Sequence, residues 1–388
     1  MKENKLKLAI ASIALLLFTM NVYAKDGIMF NNKSWAEAKS EAIKSNKLIF
    51  IDFYTQWCGP CKNIADKVFP TYSVASFYNQ NFYCLKIDAE NGEGIELAKK
   101  YKINLYPTFL FIDPSSEAIV HKSSGNQTAE TFIFTGKSAL KKETTSVYLE
   151  TEYMNGNRDP QLLLNYIKYN GSCYNRDVIQ KLFVELSKHN DYSLDNSEVW
   201  DAFYKYLNGR DNHLFKSLIA SYDHFCKLYG KQVVDKKIYT ESQYVQDLNE
   251  YNQLPQFVGK DYLIEKNKAD ILLKNGNYSE SSQLVDNMIL KYDSTPLKEE
   301  MLVYLSFYAR TYKYKECPKE FILKCLEYSR YIAYNKYDRD DANCHFEYAS
   351  ILEKVMIDNG IQIPLPKVGD QTYSMRPKDL KQKPIKKK

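Results

Sequence analysis

Apolar positions fall into two regimes along the chain. Up to about residue 142, short β-prone runs alternate with amphipathic segments. Leu48-Ile49-Phe50-Ile51-Asp52-Phe53-Tyr54 is an apolar run broken by one carboxylate, and Phe82–Asp88, Thr108–Asp113 and Ala118–Lys122 read as further strands. Between them, Ser34-Trp35-Ala36-Glu37 is a capping-box signal opening a helix, Lys62–Val68 reads as a second helix, and helices are predicted near Gly94–Tyr101 and Thr128–Lys141. The early strand–helix alternation and the later hairpin turn Asp113-Pro114-Ser115-Ser116 predict an α/β fold, a mixed sheet covered by helices on both faces. From about Ser146 to Met356 the period changes to that of helices. Leu162-Leu163-Leu164 with Ile167, Val178-Ile179 with Leu182-Phe183 and Leu186, Trp200 with Phe203 and Tyr206-Leu207, and Leu214-Phe215 with Leu218-Ile219 each mark one stripe. Asn-Gly pairs at 155–156, 208–209 and 275–276 punctuate them as turns, at spacings too unequal for a strict repeat. This region is expected to be all-α, an array of helical hairpins with its own core.

The segment Trp57-Cys58-Gly59-Pro60-Cys61-Lys62 sits between the first strand and the second helix. Cys58 is thereby placed at a helix N-terminus, where unpaired N–H groups and the positive end of the helix dipole stabilise a thiolate. Pro60 suits the first turn, where a missing N–H is no loss. Cys61, one turn on, can reach back to close a small disulfide ring. A structural zinc site needs four ligands, and no second Cys/His pair at matching spacing accompanies this one.

At these residues the chain resembles the thioredoxin family, over roughly residues 28–142. Asp52 stands six residues before Cys58, where thioredoxins carry a buried acid that assists deprotonation of the second cysteine. Tyr106-Pro107-Thr108 looks like the family's cis-proline segment, and Gly125 fits the glycine that lets backbone pack close to the active site. The resemblance implies a thiol–disulfide oxidoreductase with Cys58 as nucleophile, Cys61 as resolving thiol and Asp52 as proton acceptor. Trp57, Gly59, Pro60, Tyr106, Pro107 and Thr108 would form the surface that receives the substrate. Cys58 is expected to be the more exposed sulfur. No cofactor beyond the Cys58–Cys61 disulfide is implied. Cys84 is expected to fill the place where many thioredoxins carry a lysine facing the buried acid, and to behave as a small apolar residue. Gly59-Pro60 is the dipeptide of reducing thioredoxins, whose potential near about −270 mV favours donating electrons. Val68-Phe69, the Ser73–Asn79 helix and Asn81-Phe82-Tyr83 are similar to thioredoxin-like reducing domains found outside the cytoplasm. The partners implied are protein disulfide substrates and a membrane electron donor or acceptor that this chain does not encode.

Charge and the chain ends refine the location. Lys2, Lys5 and Lys7 precede an apolar stretch from Leu8 to Met20 and the small residue Ala24, the pattern of a secretory signal peptide over 1–24. A soluble, periplasmic protein is therefore expected. The net charge of +5 does not point to nucleic acid: residues 1–24 carry +2, residues 367–388 carry +6, and the body between is near −3. The tail, with Pro377, Pro384 and Lys386-Lys387-Lys388, reads as solvated and disordered. The expected order is thus a leader (1–24), a thioredoxin-like domain (25–142), a linker (143–145), an all-α domain (146–366) and the tail (367–388).

Eight cysteines remain after the leader, at 58, 61, 84, 173, 226, 317, 325 and 344, and only Cys58–Cys61 is paired by its spacing. In the helical region, Ala269 to Ser281 resembles a tetratricopeptide unit: a helix, the Asn275-Gly276 turn, Tyr278 and a second helix, with Ser281 where the usual residue is alanine. Tyr314 precedes another helical run, Phe321-Ile322 with Cys325-Leu326 and Ser329. The abundant tyrosines are expected to pack with a hydrated hydroxyl edge. This region is also a candidate face for a protein partner. A binding adaptor, with the redox domain ancillary, is the rival to the enzyme reading.

Overall fold

A computed structural model of the chain describes residues 27–189, 192–245, 247–313, 315–335, 345 and 347–352. The expected leader and basic tail, Tyr314 and Cys344 lie outside them. The chain divides into two compact units, one ending at Leu228 and the other starting at Tyr229.

The first unit opens with helix α1 (Trp35–Ser45), started by the Ser34–Glu37 capping box. Strand β1 (Leu48–Tyr54) leads into α2 (Gly59–Lys67), and α3 (Tyr72–Asn81) into β2 (Phe82–Asp88). Helix α4 (Glu93–Lys100), strands β3 (Thr108–Ile112) and β4 (Ile119–Ser124), and helix α5 (Ala129–Ala139) complete the α/β part. The sheet order is β2-β1-β3-β4, with β1 parallel to β2 and antiparallel to β3, and β4 antiparallel to β3. The β3–β4 hairpin is turned by Asp113, whose carboxylate accepts the N–H groups of Ser115 (3.0 Å) and Ser116 (2.7 Å).

Strand alternation sorts the core into two layers. Phe50, Phe82, Cys84, Phe109 and Phe111 pack with Ile64 of α2, Val68 just beyond it, Tyr78 of α3 and Phe132 of α5. On the other face Ile49, Ile51, Phe53, Leu85 and Leu110 pack with Trp35 and Ala38 of α1 and Leu97 of α4. Tyr78 stacks on Phe132 with centroids 4.4 Å apart, and its hydroxyl donates to the Phe132 carbonyl. Burial of these rings is the main stabilising contribution to this layer.

Beyond a 3₁₀ turn at Lys142–Thr144, the first unit continues as α6 (Ser146–Met154), α7 (Pro160–Ser172), α8 (Arg176–Leu186), α9 (Ser197–Tyr206) and α10 (His213–Ala220). Helix α11 (Tyr222–Tyr229) reaches the division. The predicted join at 143–145 is thus a tight turn, and the helices after it belong to the same compact unit as the sheet. A buried polar contact explains this. His121 of β4 accepts the Ser146 N–H on Nδ1 at 2.8 Å, satisfying a free donor at the start of α6, and its ring packs on Phe111 and Tyr169. Burial holds the His121 pKa down at about 3, so the ring is a neutral acceptor.

The second unit holds α12 (Lys231–Glu241), α13 (Lys260–Lys274), α14 (Tyr278–Tyr292), α15 (Lys298–Tyr308) and α16 (Lys319–Asn335). Helices α13 and α14 form a hairpin around Asn275-Gly276, with Gly276 at φ +83° where a side chain would be strained. Three tyrosine hydroxyls of this unit differ from expectation. Instead of lying in water, they bond inward: Tyr251 donates to the Ser242 carbonyl, Tyr262 to the Glu300 carbonyl and Tyr328 to the Ser282 carbonyl. Burial strips these three phenols of hydration, and the carbonyls replace it. Among the described residues, no helix is long and apolar enough to cross a membrane.

Candidate active site

Strand β1 delivers the chain to the turn Thr55-Gln56-Trp57, and Cys58 becomes the N-cap of α2. Cys58 and Cys61 are joined as a disulfide, with Cα atoms 5.3 Å apart. The Cys58 sulfur also accepts the Cys61 N–H at 3.1 Å, one of the donors that the helix leaves free at its start. In the reduced form that donor and the helix dipole would favour a thiolate at this position. Gly59 and Pro60 occupy the first turn, and a Cβ added at Gly59 would meet nothing within 4 Å. The expected difference in exposure between the two sulfurs is absent: Cys58 is 3% exposed and Cys61 4%. The disulfide turns the Cys58 sulfur back over the helix start, so both are covered in this oxidised state.

Trp57 is 67% exposed and stands edge-on to Tyr106, centroids 6.0 Å apart. Its indole N–H donates to the Glu90 carboxylate at 3.0 Å, while Gln56 donates to Asp88 at 3.0 Å. Asp88 and Glu90, at the end of β2, therefore hold the two residues that precede Cys58. Neither residue has a local sequence pattern that marks this role. The signal available was that β2 runs parallel to β1 and so ends beside the same turn. The Tyr106–Pro107 peptide is cis. Thr108 opens β3, its hydroxyl donating to the Leu105 carbonyl. The Pro107 carbonyl accepts the Gly125 N–H at 3.0 Å, and Gly125 adopts φ +83°. Gly125 thus packs beside the cis-proline, as its position in the sequence suggested.

Asp52 is 1% exposed and faces the layer that α2 covers, two residues nearer the cysteine turn than Phe50. Neither carboxylate oxygen has a hydrogen-bond partner. Burial lifts its pKa to about 7, and the opposing attraction of Lys86 only moderates the rise. Lys86 corrects the expectation for Cys84. The register pairs Asp52 with Lys86 and Phe50 with Cys84, so the lysine opposite the acid is present and Cys84 lies two residues away. The Lys86 ammonium rests over the Tyr54 ring at 4.8 Å and stays solvent-facing, while Cys84 is buried with its thiol pKa pushed up to about 12. Cys84, Cys173, Cys226, Cys317 and Cys325 are free thiols.

The family model for thioredoxin matches residues 29–136. A thioredoxin H-type from Oryza sativa subsp. indica is 39% identical over 98 residues, which are 24% of this chain and 75% of that protein. The chain belongs to the thioredoxin family. Thioredoxin-1 of Drosophila yakuba is 43% identical over 67 residues, 17% of this chain, and the chain spans 58% of that relative's length. The solution structure of a Bacteroides thetaiotaomicron protein, provisionally named a disulphide-isomerase, is 41% identical. The match covers 30% of this chain and 95% of that one, with a TM-score of 0.28. The thioredoxin match ends within the α/β part, so α6–α16 lie beyond it.

Proposed function

We propose that this protein is a thiol–disulfide oxidoreductase that reduces protein disulfides by dithiol exchange at Cys58 and Cys61. The observation that carries the reading is the closed Cys58–Cys61 pair at the start of α2, above a sheet face holding the buried and unpartnered Asp52. From the dithiol form, the Cys58 thiolate attacks one sulfur of the substrate disulfide, forming a mixed disulfide and expelling the other sulfur as a thiolate. Cys61 then loses its proton to Asp52, whose pKa of about 7 suits a proton acceptor near neutral pH. The Cys61 thiolate attacks the Cys58 sulfur, releases the second substrate thiol and leaves the disulfide that this structure contains. Two electrons pass to the substrate in each cycle, and a membrane donor would return them to the pair.

Trp57, Tyr106 and the backbone before Pro107 would receive an extended substrate segment by strand addition. The leader-like residues 1–24 support action outside the cytoplasm. The test compares disulfide reduction by the wild-type protein and Cys58→Ser, with mass spectrometry of adducts trapped by Cys61→Ala. The expected results are loss of turnover in Cys58→Ser and covalent substrate adducts on Cys58 in Cys61→Ala. Equal turnover by wild type and Cys58→Ser would overturn the reading.

A further inference from the structure

The turn between α7 and α8 belongs to no thioredoxin-matching segment, yet it touches the residues beside the cis-proline. Helix α7 ends flush against α9: a Cβ at Gly171 would lie 2.3 Å from the Tyr206 ring. The chain then reverses with Tyr174 at φ +59°, and Asn175 closes the turn, its N–H donating to the Asn170 carbonyl and its side-chain amide to the Asn170 side-chain oxygen. The buried Gln127 ties this turn to β4 and α5. Its amide donates to the Ser123 hydroxyl and the Ser172 carbonyl, and its oxygen accepts from Thr135.

Tyr174 is aimed by this frame. Its hydroxyl donates to the Asn126 carbonyl at 2.8 Å, while the Asn126 side chain accepts from Asn63 on the CxxC helix at 2.9 Å. Its ring covers Gly125, where a Cβ would touch it at 3.7 Å, and Gly125 in turn donates to Pro107. The ring nonetheless remains 62% exposed. An aromatic residue held in a left-handed backbone conformation, with its face open, therefore continues the surface of Gly125 and Pro107. On its far side lies a cleft of about 490 Å³, with Phe134 of α5 and Tyr206 of α9 in its walls. The lysines of the cleft are already paired, Lys168 with Glu198 and Lys205 with Asp201. Among the described residues, the exposed guanidinium of Arg176 forms no ion pair.

We propose that Tyr174 and Arg176 extend the substrate site. The substrate segment flanking the attacked cysteine runs from the cis-proline across the Tyr174 ring into this cleft, where Arg176 binds a carboxylate side chain of that segment. This rests on the disulfide-reductase reading and narrows its substrates to disulfides in extended segments with an acidic residue near the cysteine. The ring offers a flat, pre-positioned apolar platform, and the guanidinium fork matches a carboxylate with two parallel hydrogen bonds.

The test uses disulfide-linked dimers of a short single-cysteine peptide. Glutamate or lysine is placed about two to six residues to either side of the cysteine, since an extended chain advances about 3.3 Å per residue. Wild type should prefer the best glutamate dimer over its lysine counterpart by about tenfold in kcat/KM at low salt, through KM, with the preference shrinking as salt screens the pair. Arg176→Glu should invert the preference and Arg176→Gln should abolish it. Both are compatible with folding, because the side chain is exposed and an acid is favoured in a helix first turn. Tyr174→Gly, which suits the left-handed backbone, should raise KM for both peptide dimers. Equal rates for glutamate and lysine dimers in wild type, or a preference unchanged in Arg176→Glu, would overturn the inference and leave the reductase reading standing. Failure of wild type to reduce the peptide dimers and hydroxyethyl disulfide alike would remove the reductase reading, and this extension with it.

Discussion

Two buried aspartates, one in each compact unit, show how differently the units treat polar groups. Asp235, on α12, is 2% exposed, but it accepts the Lys231 ammonium at 2.6 Å and the Val258 N–H at 3.1 Å. Helices α13–α16 repeat that pattern. Ser281 bonds to the Ala269 carbonyl and to the Tyr308 hydroxyl, and Tyr328 reaches both the Ser282 carbonyl and Asp286. Asp52 has no hydrogen-bond partner at all. A satisfied network fixes a packing arrangement, whereas an ionisable group buried without a partner stores free energy that depends on its proton. Unpartnered buried hydroxyls occur in both units, Thr55 in one and Ser242 and Ser282 in the other. The contrast therefore lies in the carboxylates: the helical unit ties Asp235 into its structure, and the sheet unit leaves Asp52 unpartnered.

The largest effect that would break this contrast is in stability against pH. The folded pKa of Asp52, about 7 against an ordinary 3.8, means that the native state holds a proton the unfolded chain has released. Its contribution is complete below about pH 4 and is lost as pH rises to about 7, of order 4 kcal/mol in all. Asp52→Asn removes that loss. In urea unfolding, the variant should match wild type near pH 4 and exceed it progressively up to pH 7, with no further gain above. His121 has the opposite sign. Its folded pKa of about 3 lies below its ordinary 6.5, so its contribution is present above 6.5 and is lost as the pH falls toward 3. Each group changes stability by about 1.4 kcal/mol per pH unit, so the two slopes cancel between about pH 4 and 6.5. Asp52→Asn would then expose the acid sensitivity of the β4–α6 junction that Asp52 masks. A difference between wild type and variant that is flat with pH would mean that Asp52 is solvated or paired.

Catalysis should suffer where stability gains. Asp52→Asn is expected to slow the resolving step by about 100-fold at pH 7, the ordinary contribution of a positioned base. Single-turnover release of substrate from the mixed disulfide reads this directly, with formation of the adduct by Cys58 much less affected. In the same unit, α3 and α5 approach so closely that a Cβ at Gly136 would lie 2.6 Å from the Phe77 ring and 3.1 Å from Tyr78. Gly136→Ala should cost about 1–3 kcal/mol through overpacking, measured as a lower urea midpoint at unchanged slope.

What the sequence made legible follows the range of the forces involved. The apolar run Leu48–Tyr54, the Asp113 turn and the position of Cys58 at a helix start are set within a few residues, and the structure has them where the pattern placed them. The Cys84 reading failed because counting back along one strand cannot give the register of a parallel pair, which places Lys86 opposite Asp52. Glu90 and Tyr174 are invisible to local pattern for a related reason. Each reaches its partner, Trp57 or Asn126, across 33 or 48 residues of chain, and neither has a local signal to mark it. The inward-bonded tyrosines show the same limit: their abundance was visible, but not the carbonyls that each would find.

Ser281 gives the smallest test and the most specific one. Its sequence position, where a tetratricopeptide-like pattern has alanine, marks it as a departure. The structure supplies the compensation: the residue is fully buried, and its hydroxyl bonds to the Ala269 carbonyl at 2.8 Å and the Tyr308 hydroxyl at 2.6 Å. These bonds join α13, α14 and α15 at one point. Ser281→Ala keeps the volume nearly constant and strands the two partners, so it should cost about 1 kcal/mol. Pairing it with Tyr308→Phe removes both ends of one bond, and the double variant should lose less than the sum of the singles, since residues in one network couple. A Ser281→Ala variant as stable as wild type would mean that this junction tolerates unpaired groups as the buried Ser242 and Ser282 hydroxyls of the same unit are tolerated. The contrast between the two units would then rest on the carboxylates alone.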